Sequence, residues 1–344
     1  MLRAAIHNPY WNSLGGGERY TAAFIKLLLD KDWEVDIWWP ENISSQIKNR
    51  FGIDIDTANF VNPPSNYQLS TINYQLVFWV SDGSIPVSFA KKTIIHFQFP
   101  FTKVDGKSVA NLIKSRFYIF VANSQFTKKI VDAEFAINSS VIYPPIETNE
   151  YKPGDKTNTI LFVSRFSNLT QQKGHRVLVD AFSKIYPQVK NWKLILAGGV
   201  GVGTSDSEIK ELKLLSQGKP VEIITNPSYE RVKTLYSEAK IYCSPSGYGI
   251  DENREPTRVE HFGITVVEAM ASGCVPVIFN AGGHKEIVDD QINGYLWNTL
   301  AELETTLLKL MTDNSKLTSM ALAAREKSGM FDTNIFNSQF DKLI

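Results

Sequence analysis

The chain has little cysteine, no net charge and no long apolar run. Its 344 residues include only two cysteines, Cys243 and Cys274, far apart, with no C-x-x-C spelling and no histidine at metal spacing. Neither a disulfide framework nor a zinc site is expected, and a reducing cytoplasm fits. No apolar stretch approaches the ~18 residues needed to span a bilayer, and Leu2 to Ile6 is too short for the apolar core of a secretion signal. The expectation is a cytoplasmic protein, at most peripheral at the inner face of the membrane. Repeats and low-complexity tracts are absent. The 36 Lys and Arg balance 36 Asp and Glu, and no recognised nucleic-acid-binding motif accompanies them, so nucleic acid is not an expected partner. A dinucleotide fingerprint is missing as well. The run Gly198-Gly199-Val200-Gly201-Val202-Gly203 is rich in glycine, but the sixth position counted from Gly199 is Thr204, and no acidic residue ends a following strand where one is required.

What is present is an apolar fraction of 43%, ordinary for a globular protein, in a chain long enough for two domains. Strand and helix patterns alternate. Leu2 to His7 reads as a strand, and Tyr20, Ala23, Phe24, Leu27 and Leu28 recur on one helical face. Strands follow at Glu34 to Trp39, Gln75 to Val80, Thr93 to His96, Phe117 to Ala122 and Ser140 to Tyr143, with a short helix at Ser44 to Phe51 and another capped by Ser124. Pro144-Pro145 and a polar stretch then break the pattern. A second series opens with the strand Thr159 to Ser164 and continues through Lys193 to Ala197, Val221 to Thr225, Ile241 to Cys243 and Val275 to Phe279. Leu300 to Ile344 is helical by pattern, with Leu303, Leu307 and Leu310 on one stripe. Strands alternating with helices argue for parallel α/β sheets. The expected domains are 1–146 and 158–328, joined by a linker at 147–157 and followed by a terminal helix in 329–344.

Several positions carry chemistry. Gly15-Gly16-Gly17-Glu18-Arg19 lies between the first strand and the first helix, where bare backbone N–H groups at a helix start can meet a phosphate or a sugar without a Cβ in the way. His96 closes a strand, the side on which α/β folds place ligands; the competing reading is a core histidine satisfied by backbone. Arg165 leaves the first strand of the second series, and Lys173 stands eight positions later at a helix start. A guanidinium fork, a point charge and a helix N-terminus together suit a diphosphate. Between Thr257 and Val288, Glu260 and Glu268 are separated by seven residues. Phe262-Gly263-Ile264 leads into Thr265, which with Glu268 spells a capping box; Gly282-Gly283 then turns the chain into a further helix. Gly247 to Pro256, polar and acidic, reads as a mobile loop. Asp54-Ile55-Asp56 spells a metal-diphosphate motif of a different fold but stands alone and is read as surface. Between Ser88 and Ile130 eight lysines and arginines stand against Asp105 alone. This is either a solvated face or a surface for an anionic acceptor or membrane, in which case its attraction is screened by salt.

The glutamate pair followed by the Gly-Gly turn resembles the nucleotide-sugar site of family 4 glycosyltransferases, group 1 type. Glu260-His261-Phe262-Gly263-Ile264 and G-G-G-E-R are closest to the spellings of the Alg11-like mannosyltransferase branch. The resemblance covers nearly the whole chain. It implies a GT-B fold, two Rossmann-like domains facing a cleft with a C-terminal helix crossing back to the first, for which Thr333 to Leu343 would serve. It also implies a retaining hexosyl transfer from a nucleoside-diphosphate sugar to a carbohydrate or lipid-linked acceptor, without metal. UDP-hexoses such as UDP-glucose are slightly favoured over GDP-mannose as donor.

Carried over from the family, Glu260 would orient the donor sugar and Glu268 the ribose. His96 would hold the sugar near the reaction centre, and Arg165 and Lys173 would hold the pyrophosphate. The stretch Phe262 to Thr265 and the glycines Gly15, Gly16 and Gly17 would border the donor, Asn226 would lie beside the nucleobase, and the Gly198 to Gly203 turn would lie nearby. The loop from Arg165 to Lys173 is about three residues longer than the family spacing. Alternatives are a glycoside hydrolase built on Glu260 and Glu268, a catalytically silent nucleotide-sugar-binding protein, and a nicotinamide enzyme, which lacks its fingerprint.

Overall fold

The structure is a computed structural model that describes residues 2–167, 171, 173–200 and 206–344. The chain forms two compact units, one of Met1–Pro145 with Thr333–Ile344 and the other of Ile146–Asp332.

In the first unit seven strands form one sheet: β1 (Arg3–His7), β2 (Glu34–Trp38), β3 (Asn59–Val61), β4 (Leu76–Val80), β5 (Lys92–Phe97), β6 (Ile119–Ala122) and β7 (Ser140–Val141). Their order is β3-β2-β1-β4-β5-β6-β7, and every pairing is parallel. Parallel strands covered on both faces read as continuous apolar runs, and Leu-Val-Phe-Trp-Val of β4 is buried at all five positions. The helix Gly16–Leu29 turns Tyr20, Phe24, Leu27 and Leu28 inward. Phe24 stacks on Phe78 with centroids 4.3 Å apart, and the terminal helix Thr333–Asp341 brings Phe336 and Phe340 into the same core.

His96 belongs to that core. Strand β5 continues through Phe97, one residue beyond the expected end, so His96 sits inside the sheet rather than at its exit. Its ring has no solvent exposure and lies against Tyr20 at 4.0 Å and Phe78 at 5.6 Å. The expectation that His96 meets a sugar is therefore corrected; the aromatic packing leaves it no open face.

The second unit has β8 (Thr157–Val163), β9 (Lys193–Gly198), β10 (Val221–Thr225), β11 (Ala239–Ser244), β12 (Val275–Phe279) and β13 (Tyr295–Trp297), ordered β10-β9-β8-β11-β12-β13, again all parallel. Residues 147–157, expected as a linker, pack into this unit. Tyr151 is buried and donates to Glu268 at 2.7 Å, and Thr157 already opens β8. The two places where the chain crosses between units are stitched together inside the second, with Ile146 N–H donating to the Phe331 carbonyl at 2.9 Å. In both sheets the strand order reverses beside the first strand, between β1 and β4 and between β8 and β11. Open α/β sheets place ligands beyond the carboxyl ends of the strands at such a switch point.

Burial lowers the His96 pKa from 6.5 to about 3, opposed by the Val121 backbone, and lowers that of His175 to about 4. The unfolded chain therefore takes up these protons first as pH falls, so stability is full above about 6.5 and is lost towards the folded values. The thermal midpoint is expected to fall between about pH 7 and about pH 5. His96→Phe should flatten the fall by roughly 2 kcal/mol at about pH 5; an unchanged pH slope would contradict the burial of the ring.

Candidate functional site

In the second unit the chemistry gathers beyond β8 and β11. Gly198 ends β9 so close to β8 that a Cβ would stand 1.7 Å from the Ser164 carbonyl oxygen. Only glycine allows the two strand ends to meet there. Arg165, just past β8, is exposed and forms no ion pair among the described residues. Its neighbour Phe166 stacks on the His175 ring at 4.5 Å, which fastens the strand exit to the helix His175–Ile185. That helix is capped by Gly174 at φ +75°, pressed against Pro245, and Lys173 immediately precedes it.

Lys173 Nζ donates to Glu260 Oε2 at 2.8 Å and to Gln171 Oε1 at 2.6 Å. The two side chains of the ion pair are only 10% and 19% exposed. Burial alone would raise the Glu260 pKa, but the Lys173 charge and hydrogen bond and the neighbouring imidazoles of His284 and His261 carry it down to about 2. His284 is held by its Nδ1 contact with the Phe279 carbonyl at 3.0 Å, and burial lowers its pKa while Glu260 opposes the fall.

The backbone of Glu260 is clamped from behind. Gly283 N–H donates to the Glu260 carbonyl at 2.8 Å, and Cβ atoms on Gly282 and Gly283 would stand 2.1 Å from the Glu260 carbonyl oxygen and 2.3 Å from that of His261. The loop Gly247 to Pro256, expected to be mobile, is anchored to the same turn. Glu252 accepts from Gly282 N–H at 2.7 Å and pairs with Lys285 at 2.5 Å, while the Tyr248 ring packs on Trp297 and Phe279. An anionic oxygen thus already rests on the Gly-Gly turn.

Other expected residues are placed differently. The helix Ile264–Ala271 is capped by Gly263 at φ +120°, without a side-chain cap. Thr265 lies inside its first turn and accepts from the Tyr242 hydroxyl at 2.8 Å, so the capping box does not form. The left-handed backbone of Gly263 starts the helix two residues too early for it. Glu268 is buried, and its two carboxylate oxygens accept from Tyr151 at 2.7 Å and Tyr236 at 2.9 Å. Phe262 is buried against Phe331 with centroids 5.3 Å apart and lines no surface. Ile264, half-buried, opens the helix. Asn226, exposed at φ +50°, ties two strand exits together: its side-chain oxygen accepts from Val200 N–H at 2.7 Å, and its own N–H donates to the Gly198 carbonyl at 2.8 Å. Residues 201–203 of the expected glycine turn lie outside the described residues. Asp54 pairs with Lys48 at 2.6 Å on the surface.

In the first unit Gly15 N–H donates to Glu18 Oε2 at 2.7 Å, so the buried glutamate of G-G-G-E-R closes the glycine loop on itself. Gly15 precedes the helix, and Gly16 and Gly17 begin it. A Cβ on Gly17 would stand 1.6 Å from Gln98 Oε1. Gln98 is the residue missed by sequence reasoning. It is the first residue past β5, almost fully buried, and its side-chain oxygen has no partner among the described residues. The signal was present in His-Phe-Gln-Phe-Pro and was obscured by ending the strand one residue early.

Residues 145–327 match the family model for glycosyl transferases group 1. The chain is similar to "GDP-Man:Man(3)GlcNAc(2)-PP-Dol alpha-1,2-mannosyltransferase" of Dictyostelium discoideum, 29% identical over 230 residues covering 61% of this chain and 43% of that one. The protein of the same name in Xenopus laevis is 29% identical over 245 residues, 64% of this chain and 47% of that one. The chain thus spans less than half the length of these relatives. Among solved structures it is similar to a glycosyltransferase from Rickettsia africae ESF-5, with a TM-score of 0.78 and 18% identity over 99% of this chain and 97% of that one. It is also similar to Anabaena HepE in complex with UDP, with a TM-score of 0.74 and 19% identity over 99% of each. At these identities the likeness is one of fold, that of the GT-B glycosyltransferases.

The clamp on Glu260 has a direct test. Gly283→Ala drives a Cβ into backbone, and backbone cannot move aside as a flexible side chain can. It should cost about 1–3 kcal/mol or more in thermal or denaturant unfolding. Gly329→Ala, where a Cβ meets nothing within 4 Å, should stay within about 0.5 kcal/mol of wild type. Equal effects would mean that the close approach at the turn is not required.

Proposed function

The chain belongs to the group 1 glycosyltransferases, whose model matches residues 145–327, and on that premise we propose that it is a retaining, metal-independent transferase that moves a hexose from a nucleoside-diphosphate sugar to an acceptor hydroxyl. The observation that carries this reading is the shielded Lys173–Glu260 pair at the start of the helix His175–Ile185, on the same loop as the uncommitted Arg165. Arg165 and Lys173 would receive the diphosphate, with the helix N-terminus adding its dipole. When the nucleotide departs, negative charge concentrates on the β-phosphate, and fixed cations stabilise it where it develops. Lys173 would exchange part of its hold on Glu260 for a phosphate oxygen, while Glu260, ionised at every working pH, accepts hydrogen bonds from the sugar. The β-phosphate oxygen would take the acceptor proton on the same face of the sugar. The Gly282-Gly283 turn, which already seats the Glu252 carboxylate, suits an anionic donor group.

A glycoside hydrolase is disfavoured by the same geometry. A general acid needs a pKa near the working pH, and Glu260 is held at about 2. GDP-mannose is the preferred donor, because it is named in the sequence relatives at 29% identity, whereas the UDP complex is of a protein that shares fold at 19%. This moves the balance away from the UDP-hexose favoured by the sequence alone. The acceptor is proposed to be a carbohydrate carried on a lipid, as in those relatives' names. In the first unit, the Gln98 oxygen beside Gly17 is proposed to accept from a sugar hydroxyl, the part first assigned to His96. Glu268, fixed by two tyrosines, is proposed to present its carboxylate to the ribose.

Two measurements test the reading. In EDTA, GDP at ~100 times its Kd should stabilise the protein by about 2.7 kcal/mol, with UDP and ADP well behind at equal concentration; preferential stabilisation by UDP would reassign the base, and no shift with any diphosphate would remove the site. Arg165→Ala should lower kcat/KM by ~100-fold, and activity within about a factor of two of wild type would sink its assignment.

A further inference from the structure

Among the described residues, twelve large apolar side chains are more than a third exposed, and six of them fall in one stretch of the first unit. They are Ile72, Phe89, Val109, Leu112, Ile113 and Phe117, at 57, 55, 74, 39, 56 and 76% exposure. The fold gathers them. Ile72, Phe89 and Phe117 stand in the segments that lead into β4, β5 and β6, three strands adjacent and parallel in the sheet, so these entry segments come together at one end of it. Hydrogen bonds join those segments: Phe89 N–H to Thr71 Oγ1 at 2.8 Å, Ser88 N–H to the Tyr118 hydroxyl at 2.8 Å, and that hydroxyl to the Pro86 carbonyl at 3.2 Å.

The other three lie on the helix Val109–Lys114, none of whose residues is buried. Positions 109, 112 and 113 stand at i, i+3 and i+4 and share one face. A short helix is normally held by packing such a face on a core; here the face is left uncovered. The helix is fastened to the rest by its C-terminal end, where Lys114 donates to the Ile85 carbonyl. That carbonyl lies in the segment that leads to Phe89.

The segment that carries five of these six side chains is predominantly basic. Lys91, Lys92, Lys103, Lys107 and Arg116 are exposed, and Asp105 is the single acid between Ser88 and Phe117. Glu134 of the helix Gln125–Phe135, which accepts from Val104 N–H at 3.0 Å and lies beside Lys107, offsets one of them.

We propose that this face is a membrane-docking surface for an anionic phospholipid bilayer: the side chains of Val109, Ile113, Phe117 and Phe89 enter the headgroup and acyl boundary while the surrounding lysines and arginine meet lipid phosphates. Protein interfaces are depleted in lysine, whereas protruding apolar side chains ringed by lysine and arginine match the requirements of an interfacial contact. The inference needs no assumption about the reaction, since its test reads binding rather than turnover.

The experiment is flotation of the full chain with vesicles of phosphatidylcholine alone or mixed with phosphatidylglycerol, at low and high salt. Wild type should float with the anionic vesicles, weakly with the neutral ones, and less at high salt. Ile113→Ser/Phe117→Ser should reduce partitioning by ~10-fold or more, with unchanged circular dichroism, thermal midpoint and nucleotide binding. Lys107→Gln/Arg116→Gln should reduce it by roughly 25-fold at low salt, from about fivefold per cation. Absence of flotation, or flotation unaffected by both double variants, would overturn the proposal. So would a wild-type dimer in sedimentation that Ile113→Ser/Phe117→Ser turns into a monomer, because a second copy would then be what covers the face.

Discussion

The second unit is arranged around one ion pair. Lys173 and Glu260 lie 87 positions apart in sequence and meet at 2.8 Å with little solvent around them. Removing two charges from water costs several kcal/mol per ion, and their attraction does not automatically repay it. A chain selected for stability alone would do as well with two apolar residues there. The surrounding fold nevertheless holds both partners closely: Gly174 turns the chain just after Lys173, and Gly282 and Gly283 are pressed against the backbone of Glu260 and His261. Three glycines, each where a larger residue would meet a neighbour or strain the backbone, thus position a cation and a carboxylate that the core does not need. That expenditure makes sense if both groups meet a ligand.

The first unit solves a different problem with the same strand order. In its glycine loop Glu18 is turned back on Gly15 N–H, and Gly17 makes room for the amide of Gln98. A neutral carboxamide beside bare backbone suits hydroxyl groups better than phosphate. The difference agrees with the proposal that the second unit holds the anionic leaving group.

Much of this was legible in the sequence, for physical reasons. Parallel strands buried on both faces announce themselves as apolar runs, and Leu-Val-Phe-Trp-Val or Val-Pro-Val-Ile-Phe needs no alignment to be read. The helix Gly16–Leu29 shows its buried face in the period of its apolar residues. Arg165 and Lys173 stood out because their charges lie at a strand exit and a helix start, and Glu260 through its spacing from Glu268 and the resemblance that the pair carries. What was not legible depended on partners distant in the chain. Nothing near Glu268 indicates that Tyr151, 117 positions away, and Tyr236 donate to its oxygens; local spelling offered only a capping box, and the ribose role came from the family resemblance. Composition made 147–157 look like a linker, yet the buried Tyr151 and the hydrogen bonds of Lys156 to the Ala239 and Ser272 carbonyls anchor it. The error at His96 was one of register: extending β5 by one residue exchanges a ligand-facing histidine for a core one and brings Gln98 to the strand exit. Strand ends are set by neighbouring strands, and local pattern does not contain them.

The measurement that bears most directly on the account is calorimetric titration of GDP and GDP-mannose into wild type, Lys173→Met and Glu260→Gln. If Lys173 holds the diphosphate and Glu260 the sugar, Lys173→Met weakens both ligands by ~10-fold or more, whereas Glu260→Gln weakens GDP-mannose and leaves GDP within about a factor of two. Equal weakening of both ligands by Glu260→Gln, or no weakening of either by Lys173→Met, would contradict the division of labour on which the reading of this site depends.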